Sequence, residues 1–181
     1  MRVIALLAML VMMATSSLSE ESKPFKYVGS VKCKMCHKTV KQGEQYGIWK
    51  EGPHAKAYET LAGDEAIKVG KERGIDNPQK SDQCVYCHIT AFGVADSLKM
   101  ETLTLEEGVS CEACHGPGSE YKKMSIMKNR EKAIAAGLQV IDEKTCTICH
   151  NEKSPAYKPF KFEEAVKEIA HPTPEKEEKA E

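Results

Sequence analysis

Cys33-Lys34-Met35-Cys36-His37, Cys84-Val85-Tyr86-Cys87-His88, Cys111-Glu112-Ala113-Cys114-His115 and Cys146-Thr147-Ile148-Cys149-His150 decide how this chain folds. These four copies of C-x-x-C-H use all eight cysteines of the 181-residue sequence. On one turn of helix, positions i and i+3 point the same way. Two thiols so placed can add to the two vinyl groups of one haem, and the histidine that follows is carried beneath the iron as its proximal ligand. On this reading Cys33 and Cys36 attach haem 1 with His37 as its ligand, and Cys84 and Cys87 attach haem 2 with His88. Cys111 and Cys114 attach haem 3 with His115, and Cys146 and Cys149 attach haem 4 with His150. Four covalently bound haem c groups are therefore expected.

Other uses of eight cysteines explain less. Four disulfides suit an exported protein, and two four-thiolate zinc sites suit four C-x-x-C pairs, but neither requires a histidine after each pair. A thioredoxin-like redox pair would need a βαβ context that the sequence lacks. Composition points the same way as the motifs. Aromatic residues make up 6% and charged residues 29% of the chain, with a mean hydropathy of −0.46. Roughly 160 residues so poor in bulky side chains would struggle to close-pack a core. Haem groups would supply the missing apolar volume.

The N-terminus reads as an export signal. Met1-Arg2 is a short basic start, Val3 to Ala14 is uninterrupted apolar sequence, and Ser17-Leu18-Ser19 is a small-x-small cleavage site. The apolar run is about 12 residues long, short for a bilayer span and right for a secretory core. Residues 1–19 are thus expected to be a signal peptide, 20–171 a single haem domain and 172–181, rich in Pro, Glu and Lys, a solvated tail. Cleavage removes only Arg2 among the charged residues and shifts the formal net charge from −1 to −2. A near-neutral chain without a basic stripe gives no reason to expect nucleic acid as a partner. No other segment is apolar enough to cross a membrane after cleavage, which leaves a periplasmic location.

The expected fold class is mostly α, a compact arrangement of short helices and long loops wrapped around four haems, with no period-2 strand. Residues 20–32 read as an extended lead-in. Gly52-Pro53 opens a helix that runs to Ala62. Asp64 caps a second that stops near Gly74, and Asn77-Pro78 turns the chain into the second motif. Glu106 to His115 is expected to be helical and to end at Gly116-Pro117-Gly118. Ser119 is expected to cap a helix to about Ala136, stopped by Gly137. Phe160, Phe162, Ala165, Val166 and Ile169 mark a last amphipathic helix.

Axial ligands are in short supply. Four six-coordinate irons need eight, and the sequence has six histidines. Four serve as proximal ligands, which leaves His54 and His171. No more than two haems can then be bis-His from within this chain. His171 ends the last amphipathic helix and is a candidate distal ligand, for haem 4 rather than haem 2; the alternative is a tail histidine at a helix C-terminus. Met124 and Met127 are further candidates, since thioether ligates iron and raises its potential, or else they are core filler.

Three segments carry a family resemblance: Tyr27-Val28-Gly29-Ser30 leading into the first motif, Trp49 to Tyr58 (WKEGPHAKAY), and Gly108 to Glu120 (GVSCEACHGPGSE). In these the chain resembles the cytochrome c-554 family of multihaem cytochromes over most of its mature length. The resemblance implies closely packed haems, two of them often stacked face to face. It implies electron transfer in the periplasm between redox-partner proteins, often nitrogen-cycle oxidoreductases. It also implies that His54 is the distal ligand of haem 3, stacked on haem 1, and that haem 2 stays open. The chain departs from the family at Tyr121, where a histidine often follows GPGSE and closes haem 1; Met124 and Met127 lie close after it. The expected function is electron carriage, with no catalytic residue. The rival is an oxidoreductase acting on NO, nitrite or hydroxylamine at an open haem. A gas or redox sensor would need a signalling domain that is absent.

Overall fold

The computed structural model describes residues 23–172. The expected signal peptide and all but Pro172 of the expected tail lie outside the described residues. Ten short α-helices follow one another among the described residues: α1 (Ser30–His37), α2 (Gln45–Glu51), α3 (Ala57–Thr60), α4 (Asp64–Glu72), α5 (Asp82–His88), α6 (Cys111–His115), α7 (Met124–Met127), α8 (Arg130–Ala135), α9 (Glu143–Thr147) and α10 (Phe162–Ile169). Among the described residues there is no strand, only an isolated bridge between Tyr27 and Lys99. The mostly α class holds.

The apolar interior is thin. Seven apolar residues are buried among those described, namely Val28, Ala55, Leu61, Ile75, Val85, Tyr121 and Ala133. Almost as many polar ones join them: Ser30, Gln45, Thr90, Glu107, Ser110 and Glu112. So small a set of side chains cannot by itself hold a domain of this length, which fits a fold organised around a large apolar prosthetic group. The buried polar residues act as internal anchors. Glu112 accepts from the backbone N–H groups of Val28, Gly29 and Gly118, and Glu107 accepts from the N–H and hydroxyl of Ser30. Two carboxylates on or beside α6 thus tie the start of α1 to the third motif.

Helix boundaries differ from expectation where long-range contacts intervene. The expected helix over 106–115 is broken. Leu105–Glu107 forms a 3-10 turn, and α6 starts only at Cys111. Gly108 makes the break with φ +61°, in a place where a Cβ would meet the His54 carbonyl oxygen at 2.7 Å. The next residue, Val109, donates its N–H to the same carbonyl at 2.9 Å. The helix expected from Ser119 to Ala136 is also divided. Ser119 does not cap it; its hydroxyl accepts from the Lys26 N–H, 2.9 Å away. Asn129 instead caps α8 by accepting from the Lys132 N–H. Gly137 does stop that helix, with φ +103°. The helix expected from Gly52 is a 3-10 turn at His54–Lys56 followed by α3. The lead-in is extended only as far as Gly29, and α2 had no counterpart in the expectations.

Candidate functional site

Each C-x-x-C-H segment sits on or at the end of a short helix. In α1, α5 and α6 the motif histidine is the last helical residue. The fourth motif begins in α9, where Asp142 and Thr145 form a capping box. It continues as a turn in which the His150 and Cys149 N–H groups both donate to the Cys146 carbonyl. All eight thiols are free. Among the described residues no group of three or more His, Cys, Asp or Glu side chains converges on a metal position.

The four motifs meet in a definite order. The Cys33 thiol of the first motif hydrogen-bonds to Cys111 of the third. Cys114 of the third lies within electrostatic reach of Cys146 of the fourth, and Cys149 of the fourth contacts Cys87 of the second. The neighbouring Cys111 thiol and then burial push Cys33 up, and burial and then the Cys87 thiol push Cys149 up to about 12.

The two spare histidines each face a proximal one. The His54 ring lies 6.0 Å from that of His150, centre to centre, and the His171 ring 5.9 Å from that of His115. An iron held between two imidazoles separates their centres by about 6 Å, from two metal–nitrogen bonds of about 2 Å and the ring radii. The partners are the reverse of those expected: His54 stands beside motif 4 rather than 3, and His171 beside motif 3 rather than 4. The Val109–His54 backbone bond fixes the His54 turn against the segment ahead of α6. Burial first, then the neighbouring imidazoles, lowers His54 and holds His115 down to about 4. Burial lowers His171 as well. These are neutral imidazoles, the form that binds a metal. The His171 Nδ1 is buried without a hydrogen-bond partner in the protein.

The other two motif histidines have their tautomers fixed from the Nδ1 side. His88 Nδ1 lies 2.6 Å from the Ala57 carbonyl oxygen; a carbonyl only accepts, so Nδ1 donates and Nε2 keeps its lone pair. His37 Nδ1 lies 3.1 Å from Gln45 Oε1. The Gln45 amide nitrogen donates to the Gln42 and Pro172 carbonyls, so its oxygen must accept and His37 must donate. Both histidines present the nitrogen an iron needs, held as metal-bound imidazoles are held by an outer partner. His150 is held differently, by a stacked Phe160 ring at 5.1 Å. The residues therefore fit haem at all four motifs.

The remaining candidates are spread along one segment. Tyr121 is buried, and its hydroxyl donates to the Gly116 carbonyl at 2.7 Å. Burial and the neighbouring Cys33 raise its phenol far above the ordinary range. Met124 is 62% exposed, and Met127 is half-buried. The parts that Gln45, the Ala57 carbonyl and Phe160 play escaped the sequence reading, which placed Phe160 only on the last helix, since C-x-x-C-H says nothing of what holds its histidine.

The family model described as cytochrome c554 and c-prime matches residues 32–116. Cytochrome c-554 of Nitrosomonas europaea is 32% identical over 180 residues, covering 81% of this chain and 73% of that protein. The chain belongs to the cytochrome c-554 family. As a family member it is a c-type cytochrome of electron transfer with covalently bound haem c. No solved structure matches it. Among the described residues no helix is long and apolar enough to cross a membrane.

Proposed function

We propose that this family member is a periplasmic tetrahaem electron carrier in which His171 closes haem 3 and His54 closes haem 4. The observation that carries the reading is the pair of facing imidazoles, His54 with His150 and His171 with His115, each at the separation an iron requires. Haem c supplies a one-electron iron couple when bound. The chain's part is to hold both axial sides of two irons, which excludes substrate there, and to bring the attachment cysteines together in the order 1, 3, 4, 2. That order gives short steps from one end of the set to the other. With both spare histidines used, the irons above His37 and His88 have no second histidine from this chain. Met127 is the better candidate at haem 1, because Met124 is mostly exposed. The signal-like N-terminus supports export.

One observation favours the rival reading, an oxidoreductase for NO, nitrite or hydroxylamine at haem 2. A cleft lined by Ile89, Phe92, Lys99, Met100 and Leu105 begins at the residue after His88, and an ion pair of Asp96 with Lys99 at 3.0 Å borders it.

Intact mass tests the haem count: four attachments add about 2.5 kDa to the processed chain. Low-temperature EPR of the oxidised protein tests the ligation. Two low-spin bis-imidazole haems are expected beside two of another type. Four bis-imidazole signals from the monomer overturn the scheme, and steady turnover of NO, nitrite or hydroxylamine would favour the enzyme.

A further inference from the structure

The chain bends sharply between α1 and α2 to bury one amide. Glu44 takes a left-handed backbone, φ +49° and ψ 28°, a conformation that the Cβ of an ordinary residue disfavours. Gly43 before it, at φ +93°, lies so close to the C-terminal segment that a Cβ would meet the Pro172 carbonyl oxygen at 2.5 Å. The result is that Gln45, at the start of α2, is 91% buried with all its polar atoms engaged. Its oxygen accepts from His37 Nδ1 at 3.1 Å. Its nitrogen donates to the Gln42 carbonyl and, 127 residues along the chain, to the Pro172 carbonyl at 2.9 Å. Pro172 follows directly on His171, the imidazole that faces His115.

We propose that Gln45 is a positioning residue with two separable effects, one through each end of its amide. Through the oxygen it tunes the first haem. A histidine that donates its Nδ1 proton becomes a more electron-rich ligand, which favours the oxidised iron and lowers its potential. Through the nitrogen it holds Pro172, and with it the distal imidazole of the third haem. One side chain therefore links the proximal side of one haem to the distal side of its neighbour. The inference rests on the ligand assignment proposed above for His171.

Two variants separate the ends. Gln45→Glu keeps the acceptor and strengthens it but loses both donors. Gln45→Leu loses acceptor and donors alike. In the four-haem protein, the potential of haem 1, followed through the shifted NMR resonances of its axial imidazole, should fall in Q45E and rise in Q45L. Both variants should convert part of one low-spin haem to high spin, and added free imidazole should restore it. A residue that merely packs would shift both potentials the same way or not at all, and that result overturns the proposal. So does an intact low-spin set in both variants. Should Q45L fail to assemble four haems, the isosteric Q45E decides alone: an unchanged potential refutes the tuning role. His171→Ala keeps the two readings distinguishable. If it leaves the low-spin haems unaltered, the ligand assignment falls; if it removes one and the Gln45 variants do not, only the present inference falls.

Discussion

The half of the molecule around motifs 1 and 3 and the half around motifs 2 and 4 share one plan and carry it out with different materials. In each half one motif histidine faces a distal imidazole, His115 with His171 and His150 with His54. In each, the other motif histidine is tied through Nδ1 to the segment that bears that distal imidazole, directly in one half and through a side chain in the other. His88 reaches the Ala57 carbonyl, three residues past His54, and His37 reaches Gln45, which in turn holds Pro172. The second half uses backbone for this bond, the first a side chain. A carbonyl at 2.6 Å cannot be altered by substitution, whereas an amide at 3.1 Å can. The first half also rests on buried carboxylates, Glu107 and Glu112, where the second has the Phe160 ring and an exposed His150. The same axial arrangement thus has a polar, adjustable version and a backbone-fixed one.

The largest expected effect removes both halves together. With seven buried apolar residues among those described, replacing all eight cysteines by serine should leave a chain with little helix by circular dichroism. A cooperative helical melt in that variant would show that the side chains suffice, against the small-core argument.

The next effect should tell the halves apart. His54→Ala should turn one low-spin haem high spin, and the change should fall on the haem of motif 4. His171→Ala should do the same at motif 3. Added imidazole should refill either vacated site and restore the low-spin signal. A signal that imidazole fails to restore would mean that the substitution disrupts the fold and does not merely remove a ligand.

How much of this was legible beforehand depends on how far each cause lies along the chain. The four motifs are local, and so are α4 and α10, whose apolar spacing announces them. The break at Gly108 is not, because it answers to the backbone of His54. Gln45 could not be read at all: its partners are His37 and a carbonyl at the far end of the domain, and a glutamine after Gly43-Glu44 looks like an ordinary solvated loop residue. His54 and His171 were legible as spare ligands by counting alone. Their partners were not, since a count says nothing about which motif lies across from which.

A smaller effect should appear at the carboxylate that anchors the first half. Glu112 accepts three backbone N–H groups at 2.6 to 2.9 Å, and an amide in its place would turn a donor toward donors. Glu112→Gln should lower stability by about 1–3 kcal/mol, as read from chemical unfolding. Burial raises the Glu112 carboxyl above its ordinary 4.5, more than its backbone donors lower it. A raised acid is stabilising while protonated, so its contribution is complete below 4.5 and is lost as pH rises through the folded value. The gap between wild type and E112Q should therefore narrow as pH rises from 4.5. A gap that widens would mean that the three N–H donors outweigh burial.

The smallest expected effect concerns the sixth position of haem 1. Tyr121 stands where the family resemblance implies a histidine, but its hydroxyl is committed to Gly116 and its phenol is held protonated by burial beside Cys33. It is a strut next to the first motif, unsuited to binding iron as a phenolate. The segment that follows it carries both methionines on the single turn of α7. Thioether ligation raises potential, so a methionine at haem 1 would make that haem the first to be reduced in a titration. Met127→Ala should then lower the highest potential of the set, and Met124→Ala, which alters a mostly exposed side chain, should leave all four unchanged. The two substitutions differ in burial and little else, so each serves as the control for the other. If M124A moves the highest potential and M127A does not, α7 turns its exposed side toward the haem once it is loaded. If neither moves it, no methionine of α7 reaches the iron, and haem 1 joins haem 2 as a site with only its motif histidine.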